Sequence, residues 1–407
     1  MCNGKWSNWS NVYNVTKGRK MDMGFTDEQK MLGETVYKWA SNWLDPQMEE
    51  LDEKDEFPKD LFKETASLGI NGITISEEYG GADLGYTEFC IAAENFGRIS
   101  SALAMTWAAH CILCMDNIHR NGTSEQKAKY LSPLLSGEKI GCLAMTEPNA
   151  GSDVMSMTTR AMKGGDGYVV NGSKTFITNG PIADTLLLYA KTAPEKGPHG
   201  ISAFVVNTKT PGYSCTHLRK FGMRASPTGE LAFSDMKIPE DSLLGEENMG
   251  VKVLTGGLCT ERIVCSAIAL GTMRGALELS VKYAKERVQF GKPIASFQMI
   301  QQKIADMYTS YLASNRLTYS VASFVDSLEE KRGGKGTELD KMAASAILFT
   351  TESATKVCLD AVQIHGGYGY CLEYPVQRHL RDVKLWEIGA GTSEVRRLII
   401  AREIFKA

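Results

Sequence analysis

No run in this sequence approaches 18 uninterrupted apolar residues, and the richest stretch, Ala102 to Met115, is interrupted by His110. A membrane-crossing helix is therefore not expected, and a soluble protein is. Net charge is nearly absent: 45 Lys and Arg stand against 48 Asp and Glu, a formal balance of -3. Without a basic field, neither nucleic acid nor an anionic membrane is expected as a partner. Cysteine is present but unpatterned. The ten cysteines outline no disulfide framework, and the lone CxxC, Cys111 to Cys114, lacks the second pair or the histidines that zinc would require. Core packing is the expected role of that pair, and no metal set is expected. Scattered free thiols fit a reducing compartment, either a bacterial cytoplasm or a mitochondrial matrix.

What is present is ordinary in kind and ample in length. The 407 residues suggest two or three domains, and 43% hydrophobic with 23% charged residues is a globular balance. Residues 1–24 read as a leader or extension. Lys5, Lys17, Arg19 and Lys20 precede the first acid, Asp22, as in a transit peptide, but no apolar signal core follows.

From Thr26 the chain reads helical. Thr26-Asp27-Glu28-Gln29 is a capping box, and Leu32, Val36, Trp39 and Trp43 follow one helical face until Pro46. Pro58 and Gly69 bracket a second helix, and further patterns reach Leu135, so residues 25–141 form an expected α-domain. The texture changes near Cys142. Tyr168 to Val170 reads as a strand entering an Asn171-Gly172 turn, with Lys174 to Thr178 as the returning arm. Leu186 to Ala190, Ile201 to Asn207 and Glu230 to Ile238 add strands, giving a β-barrel or sandwich-like unit over 142–250. Helical patterns at Val264 to Val288, Gln298 to Leu328, Thr337 to Ile364 and Ser393 to Phe405 then predict a four-helix bundle over 251–407. Lys331 to Gly336 would be a loop within it. The fold class is α+β, in the order helical, β, helical.

Three segments carry chemistry. Thr146 to Asp153 is a turn rich in hydroxyls, able to present donors to a polar heterocycle. Gln363 to Gly369 is a glycine-rich turn at a helix end, where backbone can approach a phosphate or ribose. Arg287 to Pro293 sets a guanidinium beside an aromatic ring, suited to a pyrophosphate and a ring system.

Together with two more motifs these segments resemble the acyl-CoA dehydrogenase family. The matching stretches are TEPNAGSD at 146–153, NGSKTFITNG at 171–180, ERVQFGKPI at 286–294, QIHGGYGY at 363–370 and RDVKLWEIGAGTSEVRR at 381–397. The resemblance implies FAD, an acyl-CoA substrate, a homotetramer and electron transfer flavoprotein as electron acceptor. It also implies that Leu143, Met145, Thr146, Ser152, Phe176 and Thr178 line the flavin. Arg287, Phe290 and Gln298 would reach FAD across a subunit interface. Gln363, Gly367, Thr392 and Glu394 would hold its adenosine diphosphate portion.

The catalytic base is where this sequence departs from many members. They carry it in a Tyr-Glu-Gly-Thr segment, which here reads Gly389-Ala390-Gly391-Thr392, and Ala390 cannot take a proton. The isovaleryl-CoA dehydrogenase branch instead places a Glu-Arg pair on an earlier helix, matched here by Glu261-Arg262. By this resemblance Glu261 takes the α-proton, while Ser152, Leu258, Arg262, Gly389 and Ala390 contact substrate. Gly389 in place of tyrosine makes room for a short branched or cyclic acyl group, with Met105, Trp107, Cys265 and Ser266 as further candidates for shaping the pocket. The implied reaction is α,β-dehydrogenation to a trans-2-enoyl-CoA. The alternatives are an enoyl-CoA reductase, an acyl-CoA oxidase, and an acyl-CoA-binding flavoprotein without catalysis.

Overall fold

Thr26 opens the first helix by the reciprocal cap its sequence announces. Its hydroxyl accepts from the Gln29 N–H at 3.2 Å, and the Gln29 side-chain oxygen accepts from the Thr26 N–H at 2.9 Å. The computed structural model describes residues 24–328 and 338–406; the leader up to residue 23 and the Lys331 to Gly336 loop lie outside the described residues. Helix Asp27–Trp39 continues through a π-turn, Ala40–Leu44, across which Trp39 and Trp43 stack at 5.5 Å. Helices Met48–Lys54, Leu61–Ser67, Tyr86–Gly97, Ser101–Ala108, Asp116–Asn121 and Ser124–Leu135 complete the first unit. Between two of them, the π-helical Ala109–Met115 buries both Cys111 and Cys114. There His110 is a core histidine, accepting from the Gly141 N–H and facing the Leu134 carbonyl, with burial lowering it to about 4.

One eight-stranded sheet follows. Its two halves meet through a single pair, Arg160 with Lys191, and fold over a shared core where Tyr168 meets Phe204 edge-on at 5.0 Å. Strand Thr185–Lys191 explains its own apolar run. Leu186, Leu188 and Ala190 face the sheet core, while Leu187 and Tyr189 face the helical core, so both faces are buried. The expected Asn171-Gly172 turn is not a turn: Gly167–Thr178 is one continuous strand, and the reversal comes at Gly164 to Gly167 instead. Asn171-Gly172 marks a bulge. Gly172 takes φ 144, and a Cβ there would lie 2.7 Å from the Thr159 Cα.

The last unit holds four long helices, Gly250–Glu286, Gln298–Asp326, Glu338–His365 and Ser393–Lys406, with the short Pro375–Val383 between the last two. The first begins well before the expected Val264, because its glycines mark close approach and not breaks. A Cβ on Gly271 would sit 2.0 Å from the Glu94 carbonyl oxygen, and one on Gly257 would meet Arg120 at 2.7 Å. This helix is also the one described helix long and apolar enough to cross a membrane, but 78% of its most apolar window is buried inside the protein. It is a core helix, and it carries Glu261.

Candidate active site

The loop after strand Gly141–Ala144 is pinned to the long strand beside it. The Thr175 N–H donates to the Thr146 carbonyl at 2.9 Å, and buried Lys174 donates to the Met145 carbonyl at 2.8 Å and to Glu147 at 3.0 Å. Met145 and Thr146 are thereby held against the strand that carries Phe176 and Thr178, Leu143 lies on the preceding strand, and Ser152 is exposed further along the loop. Phe176 sits there at φ 60 and is 70% exposed. An aromatic side chain held out to solvent on a left-handed backbone costs free energy without a contact to compensate, and such strain clusters at ligand sites.

A second group forms after the Gly250–Glu286 helix. The Arg287 guanidinium lies 5.4 Å from the Tyr368 ring, next to Gly367. Tyr283 stacks on His365 at 4.3 Å and fixes the start of the glycine turn. Gly366 takes φ 62, and neither it nor Gly367 would bring a Cβ within 4 Å of any atom, so the backbone there is open to approach. Phe290 repeats the pattern of Phe176, at φ 51 and 92% exposed. Gln298 and Gln363 are exposed, as is Glu394 at the helix start that the Thr392 hydroxyl caps.

The third group surrounds Glu261. Leu258, Glu261, Arg262 and Cys265 share one stretch of the helix at i, i+3, i+4 and i+7. Glu261 makes no hydrogen bond or ion pair among the described residues, though it keeps a partly exposed edge. Burial pushes its carboxyl up to about 7, and the charges of Arg262 and Arg396 only partly offset that. Arg396 was not singled out in the sequence, and it joins the two halves of the site. Wholly buried, it donates to the Gly389 and Trp386 carbonyls at 2.7 Å each and to Thr351 at 3.1 Å. It thus holds the Gly389-Ala390 turn beside the same electrostatic neighbourhood as Glu261. Ala390 is left-handed at φ 53, and its N–H has no partner among the described residues. A Cβ on Gly389 would touch only Leu385, at 3.5 Å or more, which leaves room there.

Three of the expected site residues are buried. Arg262 is buried and ion-paired with Asp340 through one guanidinium nitrogen, which ties its helix into the bundle. Trp107 is core, stacked on Phe89 at 4.4 Å, and Ser266 bonds Thr318 at 2.8 Å inside the bundle, so neither shapes an open pocket.

Three family models match in succession: the acyl-CoA dehydrogenase N-terminal domain at residues 26–138, the middle domain at 142–236 and the C-terminal domain at 248–405. This chain belongs to the acyl-CoA dehydrogenase family. It is 47% identical over 385 residues to the mitochondrial isovaleryl-CoA dehydrogenase of Oryza sativa subsp. japonica, covering 94% of this chain and 92% of that one. It is 46% identical to the mitochondrial 2-methylacyl-CoA dehydrogenase of Solanum tuberosum, covering 93% and 91%. Among solved structures, butyryl-CoA dehydrogenase from Megasphaera elsdenii superposes with a TM-score of 0.89 at 39% identity, covering 95% of this chain and 100% of that one. PigA with FAD and proline superposes at 0.88 and 32% identity, covering 95% and 99%. As an acyl-CoA dehydrogenase the chain is an FAD-dependent oxidoreductase acting on CH–CH groups. The exposed, strained Phe176 and Phe290 and the open glycine turn fit that cofactor.

Proposed function

We propose that the protein oxidises the Cα–Cβ bond of a short or branched acyl-CoA thioester to the trans-2-enoyl-CoA, with Glu261 taking the α-proton. The observation that carries this is a carboxyl raised to about 7 with no partner of its own, in the field of an Arg396 that also holds the acid-free Gly389-Ala390 turn. A carboxylate stripped of water is a stronger base, and one that titrates near neutrality is matched to its task. The unpartnered Ala390 N–H is suited to donate to the thioester oxygen as charge develops there. Bound FAD would supply the acceptor for the hydride leaving Cβ.

Leu143, Met145, Thr146, Ser152, Phe176 and Thr178 would line the flavin ring, with Arg287, Phe290, Gln298, Gln363, Gly367, Thr392 and Glu394 holding the rest of the cofactor. Space at Gly389 favours a branched acyl group, in keeping with the isovaleryl- and 2-methylacyl-CoA named for two relatives. A homotetramer is proposed because Phe405, 87% exposed, and Leu398 present apolar side chains on the last helix. Electron transfer flavoprotein is the proposed acceptor; a solved structure that superposes at a TM-score of 0.90 is that of an electron transferring flavoprotein of Acidaminococcus fermentans. The described cysteines are all free, which suits a reducing compartment, bacterial cytoplasm or mitochondrial matrix. Against a non-catalytic flavoprotein stands the cost of keeping an unpaired, ionisable carboxyl inside the protein. A panel of acyl-CoA thioesters, read by loss of flavin absorbance, tests the proposal. Bleaching by a branched short substrate is expected in the wild type and almost none in Glu261→Gln; equal bleaching in both would remove Glu261 as base.

A further inference from the structure

A recess of about 510 Å³ opens away from the cleft, between the first helix, the C-terminal half of the base helix and the short Pro375–Val383 helix. Two basic side chains form its floor. Arg378 is 4% exposed and His379 2% exposed, and neither makes a hydrogen bond or ion pair among the described residues. The Arg378 Nε is wholly enclosed with no acceptor.

Asp382, Asp52 and Asp45 offset part of the Arg378 charge through space, but none of them is in hydrogen-bond or ion-pair contact with it. Asp52 is held by Arg381 at 2.5 Å, and Asp382 accepts from the Met223 N–H at 2.5 Å. Asp45, the weakest of the three, is exposed at the rim. Among the other lining groups, Arg98 is committed to Glu278 at 2.5 Å and lies over the Tyr37 ring at 3.5 Å. Lys282 and Lys285 stay free of ion pairs at the rim, one turn apart on the base helix, with exposed Glu286 beside them. A buried cation without a contact partner costs several kcal/mol. Proteins seldom bear that cost except where a ligand relieves it. Arg378 offers a planar fork, and the two ammonium groups are point charges free to swing inward, a combination suited to a tetrahedral dianion.

We propose that this recess binds a phosphate group, free or carried by a small organic molecule, with Arg378 donating from the floor and Lys282 and Lys285 closing over it. His379 is held neutral by burial, at about 3, and so adds a ring N–H donor without adding charge. The volume exceeds that of a bare phosphate, which leaves space for an organic remainder.

The test is thermal denaturation of the FAD-loaded protein with inorganic phosphate, with glycerol phosphate, and with chloride at matched ionic strength. Phosphate should raise the wild-type midpoint by about 2 °C or more beyond chloride once its concentration is well above Kd. Arg378→Gln should lose that rise while keeping its flavin and its acyl-CoA bleaching. A larger rise with glycerol phosphate identifies an organic phosphate, and an equal one a free anion. If Arg378→Gln fails to fold, Lys282→Glu at the exposed rim serves instead, weakening phosphate binding several-fold. No phosphate-specific rise in the wild type, or the same rise in the variants, overturns the proposal.

Discussion

Two glutamates of this protein are both removed from bulk water and meet opposite fates. Glu147 accepts from the Thr158 N–H at 2.6 Å, the Thr158 hydroxyl at 2.9 Å and the Thr159 N–H at 2.9 Å, and pairs with Lys174 at 3.0 Å. Burial alone would raise its pKa, but Lys174 and these donors outweigh burial and hold the carboxyl down to about 2. Glu261 has none of these partners, so burial prevails and takes it up to about 7. A buried acid with every lone pair satisfied is a rivet, and one left unsatisfied is a base in waiting. The first keeps the loop after strand Gly141–Ala144 on the neighbouring strand, and the second is the proposed acceptor of the substrate proton.

The largest break in this contrast should come from Glu261, the proposed base. Glu261→Gln should lower kcat/KM by about 10² to 10⁴-fold, the usual worth of a positioned general base. Adding Ala390→Glu to that variant should recover part of the loss, because Arg396 holds the Gly389-Ala390 turn in the neighbourhood of Glu261. No recovery would mean that the two positions do not serve one substrate. On the other side, Lys174→Met should leave Glu147 a buried charge without its counter-ion, at a cost of roughly 3–5 kcal/mol. A lower urea midpoint and faster flavin loss are the expected readouts. A variant as stable as the wild type would show that the hydrogen bonds alone hold the loop.

Much of this was legible in the sequence, for reasons that differ by residue. Glu261 and Ala390 could be read as a pair because a gained acid and a lost acid are both visible as letters. Phe176 and Phe290 were legible through their motifs, though only the backbone reveals that both are left-handed. Asn171-Gly172 misled because a dipeptide favouring positive φ serves a bulge as well as a hairpin, and Gly164 to Gly167 competed for the turn. Gly256-Gly257 hid the start of the base helix, since close packing against Arg120 is a tertiary fact. Arg396 and Arg378 went unremarked for the same reason, and Lys174 read only as the end of a strand. An arginine or lysine reads as surface until its partners, or the lack of them, are seen across the fold.

The contrast also separates in pH. Glu147 has a folded pKa below the ordinary glutamate value, so its contribution is present above about 4.5 and is lost as pH falls toward 2. Glu261 has a raised one, so stability falls as pH climbs from about 4.5 through about 7 and the buried carboxyl ionises. Glu261→Gln should therefore be more stable than the wild type at pH 8, by roughly 2–3 kcal/mol, and nearly equal to it at pH 4.5. Wild-type kcat/KM should fall about tenfold per unit below pH 7. Urea midpoints and initial rates across the range would check both, and a flat rate profile through pH 6 would detach the raised carboxyl from the reaction.

The smallest effect should come from the space at Gly389. A Cβ on Gly389 meets only Leu385, so a side chain can be added there with little clash, provided it takes up volume that the substrate otherwise fills. Filling that space removes room for a branch without touching Glu261 or the Ala390 N–H. Gly389→Tyr should therefore turn the ratio of kcat/KM for branched over straight short acyl-CoA against the branched substrate, by about tenfold, as expected for one or two methylene groups of pocket volume. The proton chemistry should persist, with the same pH dependence for the straight substrate. If branched and straight substrates suffer alike, the room at Gly389 is not where the branch sits, and Leu258 and Cys265 on the helix become the next positions to vary.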